Sequence, residues 1–222
     1  MDHVDSRRDD GNALYLPYLL RGFSGSGRKR YIAGWIIHPA SMNSHKIAVI
    51  AILIALAIAT NYAMISIYNV KLMDVIVFIG GFILGPLVGA SIGVLSWTVY
   101  GTLNPNGFSM SIWLATMFSE AIFGIVGGLV GKTRYDLKSR RAGLCLSFAA
   151  LGGLLTLVYD VLTNIAWGYA FGPSIIGAIV FGVPFSLIHV VSNFLFFGVL
   201  CVPSISAALT VIGVDKIDIL KK

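Results

Sequence analysis

Residues 74–100 read DVIVFIGGFILGPLVGASIGVLSWTVY, and they say more about the architecture than any other stretch. A helix crosses ~30 Å of hydrocarbon with about 20 mostly apolar residues, so this stretch is too long for one untilted helix. It is interrupted at Gly85-Pro86, where proline removes a backbone donor and disfavours helix in the preceding residue. We therefore predict two short spans, 74–85 and 87–102. One long kinked helix is the alternative.

Apolar segments with the length of a membrane-spanning helix lie on both sides of this stretch. They are residues 46–65, 109–130, 142–166 and 174–202. The sequence Asn104-Pro105-Asn106-Gly107 is a strong turn signal between the third and fourth spans. The fold class predicted is therefore an all-α integral membrane protein with a bundle of six transmembrane helices.

Charge is scarce and unevenly placed. Charged residues make up 12% of the 222 residues, about half the fraction of a typical soluble domain. This composition excludes an ordinary soluble globule and a disordered chain. The net charge of +6 comes from basic clusters at 28–30, 132–141 and 221–222. Such clusters flanking apolar spans stay cytoplasmic, and no folded basic surface for nucleic acid accompanies them.

The clusters also bear on the number of spans. With six spans all three clusters face the cytoplasm, and so do both termini. With five spans the N-terminal cluster would lie on the opposite side, so the charge pattern favours six.

The chain divides into three parts by composition. Residues 46–205 form the predicted membrane domain, and 206–222 form a cytoplasmic tail. Residues 1–45 are polar and glycine-rich, and their apolar piece is too short to span a membrane. Two interpretations stay open for them: a disordered or membrane-surface cytoplasmic arm, or sequence upstream of a translation start at Met42.

Small residues recur every four positions in two sets, and residues four apart lie on one helix face. One set is a glycine ladder, which we interpret as internal packing of the bundle; it comprises Gly81, Gly85, Gly89 and Gly93, with Gly124 and Gly128 on a later span. The other set is Ala51, Ala55 and Ala59 on the first span. This smooth stripe would let another helix dock closely.

Polar side chains at membrane depth are functional candidates because burying them in hydrocarbon is costly. A group predicted near the outer side could line a small-molecule site; it comprises Asn104, Asn106, Asp160, Asn164 and Trp167. The alternative is an interfacial aromatic belt in which Asp160 and Asn164 tie helices together. For Glu120 and His189, pairing with other helices and ligand contact are both open.

Signatures of enzymes and metal sites are missing. The sequence has no zinc-protease or P-loop motif, no catalytic residue is predicted, and the chain cannot hydrolyse ATP by itself. Cys145 and Cys201 lie in apolar runs without metal-ligand or disulfide spacing. No second ligand lies at useful spacing from His189, so no metal and no cofactor is predicted.

Over residues 42–205 the chain resembles the substrate-binding S component of an energy-coupling factor (ECF) transporter. The resemblance rests on the six short spans and on the stripe Ala51-x-x-x-Ala55-x-x-x-Ala59. Its most specific part is the block Phe82-Ile83-Leu84-Gly85-Pro86-Leu87-Val88-Gly89, which runs on to the turn Asn104-Pro105-Asn106-Gly107.

The resemblance implies a function and partners. An S component binds a vitamin or similar micronutrient on the outer side of a prokaryotic cell membrane. It associates with a transmembrane coupling (T) subunit and two ATPase subunits, which alone use ATP. The alanine stripe would dock on the T subunit. The residues matching the family's ligand site are Asn104, Asn106, Trp113, Asp160, Asn164 and Trp167.

The substrate does not follow from the resemblance, because family members line their pockets differently. Aromatic residues with Asn and Asp suit a flat heterocycle such as a flavin or a thiamin-like ring, and they would tolerate a corrin or a queuosine precursor. Lys71 is the only basic residue predicted on the outer side, which disfavours a multiply anionic ligand. The other functions considered are a structural or assembly membrane protein without a ligand, a stand-alone permease, and a membrane enzyme with an unrecognised site.

Overall fold

The computed structural model describes residues 44–105, 107–132, 141–172 and 174–211. These ranges hold six helices and no strand, as the sequence predicts. The helices are α1 (Ser44–Ala63), α2 (Met73–Leu84), α3 (Pro86–Thr102), α4 (Met110–Gly131), α5 (Arg141–Ala170) and α6 (Ile175–Val211). The predicted arm before residue 44 and most of the basic loop 132–141 lie outside the described residues.

The helices differ in their reach across a membrane. Within the described ranges four helices, α1, α4, α5 and α6, are long and apolar enough to cross. At 1.5 Å per residue, the 12 residues of α2 extend only about 18 Å and the 17 residues of α3 about 26 Å. Both are shorter than the ~30 Å of hydrocarbon.

The break between α2 and α3 falls at Gly85-Pro86, as predicted. Gly85 has φ +96°, a left-handed conformation that glycine adopts without a Cβ clash. Pro86 is the first residue of α3, where its missing N–H costs no helical hydrogen bond. A kinked continuous helix is therefore the wrong alternative, because Gly85 reverses the sign of φ at the junction.

Helix α2 lies at the centre of the bundle, packed against α1, α3, α4 and α6. Every residue of α2 except Ile76 is buried. Phe78 from α2 packs against Phe197 from α6, with ring centroids 5.1 Å apart, and Phe123 from α4 lies 6.0 Å from the same ring. The short helix is thus the core around which the longer ones are arranged.

The glycine ladder packs α2, α3 and α4 against one another. A Cβ on Gly81 would overlap the carbonyl group of Gly124, and a Cβ on Gly124 would overlap the backbone of Gly89. A Cβ on Gly128 would likewise overlap Pro86. The three backbones are in direct contact, so the interpretation of the ladder as internal packing is confirmed.

Helices α5 and α6 form a long antiparallel pair. The ring of Phe197 packs directly on Gly152, where a Cβ would overlap it. Helix α6 continues past the predicted end at 202 to Val211 and contains both Pro184 and Pro203. Proline is tolerated inside membrane helices, and neither of these prolines ends α6.

Candidate functional site

A chain of polar side chains crosses the interior of the bundle, centred on His189 of α6. Its Nε2 lies 2.8 Å from Oδ2 of Asp74, and its Nδ1 lies 2.9 Å from Oδ1 of Asp160. His189 and Asp74 have no exposed side-chain surface. Both ring nitrogens can donate to carboxylates at once only in the protonated imidazolium. The arrangement therefore links α2, α5 and α6 through two charge-assisted hydrogen bonds.

A second polar layer lies one helical turn along. Asn193 Nδ2 donates to Oδ2 of Asp74 at 2.6 Å and to Oγ1 of Thr156 at 2.7 Å. On α6, Asn193 follows His189 by four residues, and on α5, Thr156 precedes Asp160 by four. Each pair therefore shares a helix face, and the two faces meet over Asp74.

Glu120 of α4 forms the next part of the interior. Its Oε2 accepts a hydrogen bond of 3.1 Å from Nε1 of Trp97, and its carboxyl group also interacts with that of Asp74. Within the described part of the chain, Glu120 Oε1, Asp74 Oδ1 and Asp160 Oδ2 have no hydrogen-bond partner.

Lys71 brings a positive charge to the outer edge of this cluster. Its ammonium group lies 4.6 Å from the ring centroid of Tyr159 and 5.3 Å from that of Trp97. It also donates to the Tyr159 hydroxyl group at 3.4 Å. Both rings are buried. Lys71 therefore makes cation–π contacts at the border between the polar cluster and the segment that connects α1 to α2.

A cavity of about 490 Å³ opens beside Lys71. Its volume is in the range of small-molecule sites. The polar and aromatic residues that line it come from the end of α1, the α1–α2 connection and the end of α3; they are Asn61, Tyr68, Asn69, Lys71, Trp97, Tyr100 and Asn104. Met64, Ile65, Ile67 and Val70 supply its apolar lining.

Two hydrogen bonds hold the rim of this cavity. Asn69 has φ +55°, a left-handed conformation that asparagine tolerates better than most residues, and its Nδ2 donates to the carbonyl group of Phe185 at 2.9 Å. The Tyr62 hydroxyl group donates to the carbonyl group of Leu103 at 3.1 Å. The connection is therefore tied to α6, and the end of α1 to the end of α3.

Of the residues predicted to bind substrate, Asn104 lines the cavity. Asn106 lies outside the described residues. Trp113 packs its ring on Gly101, and its Nε1 donates to the carbonyl group of Thr98 at 3.4 Å. Trp113 is thus near the end of α3 but does not line the cavity.

The other three predicted residues lie on α5. Asp160 belongs to the buried polar cluster, bonded to His189. Asn164 Nδ2 lies 3.4 Å from the Ser186 hydroxyl group. Trp167 is 42% exposed and packs against Phe171. The structure therefore places Asn104 at the cavity and the α5 residues outside its lining.

Residues that the sequence patterns did not single out are Asn61 and Asn69. Asn61 is buried at the end of α1, and its Oδ1 has no hydrogen-bond partner within the described ranges. In the sequence, Asn61 stands just before the short segment that leads to Lys71. Because this segment is irregular, it has no periodic pattern from which to predict that the two side chains line one cavity.

Glu120 and His189, whose roles the sequence left open, both contact side chains of other helices. The residues that the structure describes contain no group of three or more histidine, cysteine and acidic side chains that could hold a metal ion.

A second surface feature is the alanine stripe of α1. Ala51, Ala55 and Ala59 are all exposed, as is Ala63 one turn further. They contrast with Ala57 on the opposite face, which is completely buried. In the described chain the stripe is therefore not used for packing within the bundle.

The sequence was compared with models of known protein families. The family model described as "ECF transporter, substrate-specific component" matches residues 45–212, a range that includes nearly all of the six helices. The chain belongs to this family. It is thus a multi-pass membrane protein of a substrate-binding, non-catalytic family, as the resemblance in the sequence indicated.

Membership in this family indicates the general function of the chain. An ECF substrate-specific component is the membrane subunit that recognises a small-molecule substrate, and it works with a T subunit and ATPase subunits. No curated protein and no solved structure matches the chain significantly. The substrate and the exact partners must therefore be inferred from the site.

Proposed function

We propose that the chain is the high-affinity solute-binding subunit of an ATP-driven ECF importer for a vitamin or related micronutrient. The substrate would bind in the cavity beside Lys71. The cavity is the observation that carries the proposal, because it combines small-molecule size, buried aromatic rings and a few convergent polar groups. Asn61 adds a buried amide oxygen without a partner in the described chain.

The charge pattern supports an outward-facing cavity. Asn61 lies in the last turn of α1, Lys71 precedes α2 and Asn104 follows α3, so all three lie at one end of the bundle. Lys132 and Arg141, which begin and end the basic loop, follow α4 and begin α5 at the opposite end. Basic loops stay cytoplasmic. This orientation gives six crossings, with both termini cytoplasmic, in a prokaryotic cell membrane.

Six crossings require the short helices α2 and α3 to count as spans. Helix α2 is enclosed by other helices, so its ends need not reach the lipid headgroups. The proposed topology thus places a short central helix inside a ring of longer ones.

The exposed alanine stripe supports docking to a T subunit. Helices in a bilayer associate through close backbone approach, which small side chains permit. Ala51, Ala55 and Ala59 offer such a surface on a helix that makes limited contact with its own bundle. We propose that this face of α1 contacts the T subunit, and that two ATPase subunits drive transport from the cytoplasmic side.

The binding roles inferred from the resemblance for Asn106, Trp113, Asp160, Asn164 and Trp167 stay predictions. Asp160 lies in the buried polar cluster, bonded to His189. Asn104, which lines the cavity, is the member of that group whose position most directly supports a substrate contact.

Mass spectrometry of small molecules extracted from the purified protein tests the proposal. A tightly bound micronutrient should co-purify, and adding it back at a hundredfold excess over Kd should raise the free energy of unfolding by about 2.7 kcal/mol. Absence of any extracted ligand, together with no thermal stabilisation by a panel of vitamins, would favour a structural or assembly role. A stand-alone permease would transport the ligand into vesicles without the partner subunits.

A further inference from the structure

The Lys71 ammonium group occupies a site suited to an organic cation. It lies against the faces of two buried aromatic rings, 4.6 Å from the Tyr159 centroid and 5.3 Å from the Trp97 centroid. Paired aromatic faces are the usual surroundings of ammonium ligands in proteins. The Trp97–Tyr159 ring pair is therefore a cation subsite that a side chain of the protein itself fills.

Carboxyl groups lie behind this ring pair. Asp74 and Glu120 both interact electrostatically with Lys71, and Asp160 lies next to Tyr159 in the same cluster. Each of the three acids has one buried oxygen without a hydrogen bond from a donor in the described residues.

Three acids, Asp74, Glu120 and Asp160, share this cluster with two basic side chains, His189 and Lys71. Lys71 supplies a full positive charge at its edge. Withdrawal of its ammonium group would leave an uncompensated negative charge inside the bundle, which is costly in a membrane protein. An incoming cation would remove that cost.

Lys71 is placed to give way to such a cation. It belongs to the segment between α1 and α2, lines the cavity and is only partly buried. Its flexible four-carbon stem lets the ammonium group swing out while the rings and acids stay in place. An anionic ligand would gain little from Lys71, because the charge of this residue is already balanced by the cluster.

We propose, resting on the function proposed above, that the Trp97–Tyr159 ring pair binds a cationic group of the substrate and that Lys71 competes with the substrate for this subsite. The substrate class is then a flat organic cation. Trp97 and Tyr100, both in the cavity lining, provide faces for a flat ring.

A matched set of ring compounds tests the charge preference: 1-methylnicotinamide as the cation, nicotinamide as the neutral form and nicotinate as the anion. Each is titrated by calorimetry into wild-type protein and into Lys71→Met, which keeps the length of the side chain and removes its charge. We expect the cation to bind Lys71→Met about tenfold more tightly than wild type, since the competing ammonium group is gone. Nicotinamide affinity should change by about twofold or less, because it has no charge to gain.

The double variant Lys71→Met/Glu120→Gln distinguishes an effect of charge from an effect of the space that the lysine side chain vacates. It removes one acid at nearly constant volume, so the gain in cation affinity should disappear. Unchanged or weaker cation binding to Lys71→Met overturns the proposal, as does an equal gain for nicotinamide. A loss of nicotinate affinity in Lys71→Met also overturns it, by making Lys71 an anion contact. Elution volume and circular dichroism verify the fold, with Lys71→Gln as the replacement if Lys71→Met misfolds.

The ligand extracted from wild-type protein distinguishes failure of this proposal from failure of the proposed function. A fixed positive charge on that ligand supports the cation subsite. An anionic ligand overturns the subsite and leaves the solute-binding function intact. A protein that carries no ligand and is stabilised by none counts against the proposed function itself.

Discussion

His189 Nε2 lies 2.8 Å from Asp74 Oδ2, although the two residues are 115 positions apart in the chain. The contact joins the central helix α2 to the C-terminal helix α6. Both side chains are completely buried. Removing one partner of a buried ion pair leaves a charge without compensation, so this contact has a large predicted effect on stability.

Substitution of His189 by leucine should lower the free energy of unfolding by about 3–5 kcal/mol, because Asp74 and Asp160 both lose their hydrogen bond to the imidazole ring. Thermal unfolding in detergent measures the effect as a lower Tm. Ser192→Ala is the control on the same helix, since it removes only the hydroxyl bond to the carbonyl group of His189. Its cost should be about 1 kcal/mol or less. Equal melting of His189→Leu and wild type would contradict the bridging role.

Substitution of Gly124 by alanine should destabilise the bundle, because the added Cβ would overlap the backbone of Gly89. Overpacking of this kind costs about 1–3 kcal/mol. Gly153→Ala is the matched control, since its nearest neighbours would be 3.7 Å from the added Cβ, an ordinary contact. Gly153→Ala should be neutral or stabilising, by up to about 1 kcal/mol, because alanine is the better helix former. The same Tm for both variants would refute the close backbone contact.

Much of the fold could be predicted because its signals are local. The break at Gly85-Pro86 follows from the chemistry of one proline and the residue before it. The glycine ladder shows as a four-residue repeat. The predicted end of the last span at 202 was too early, since α6 stays helical past Pro203 to Val211.

The polar cluster and the cavity could not be predicted in the same way. Asp74, Asp160 and His189 lie on three helices, and nothing in one sequence shows how those helices are rotated toward each other. The cavity lining includes an irregular segment, which has no periodicity. The sequence therefore identified Asn104 in a turn, but it gave no reason to group Asn61 with Lys71.

Substitution of Ala55 or Ala59 by leucine should abolish uptake by cells that express the whole transporter, while ligand binding by the isolated protein stays intact. A leucine on this stripe would hold the T subunit away from α1. Ala150→Leu is the matched control, because Ala150 is also exposed but lies on α5. It should leave uptake unchanged. Parallel loss of uptake and binding in the α1 variants would count against docking.

Substitution of Asn61 by leucine or Asn104 by alanine should weaken ligand binding about tenfold, the value of one hydrogen bond between protein and ligand. Asn61→Leu preserves volume, so the cavity should keep its shape. Trp167→Ala is the comparison, since Trp167 was predicted to bind but lies outside the cavity lining. Isothermal titration with the extracted ligand gives the three affinities. A loss confined to Trp167→Ala would move the site to the end of α5.

The position of the bound ligand is the most direct test of the central claim, that substrate is held in the cavity beside Lys71. A crystal structure of the purified protein with the compound that it carries would give that position. We predict ligand density bounded by Asn61, Trp97 and Tyr100, with the Lys71 ammonium group moved away from the Trp97–Tyr159 ring pair. Density bounded by Asn164 and Trp167, with the cavity beside Lys71 filled only by solvent, would contradict the claim.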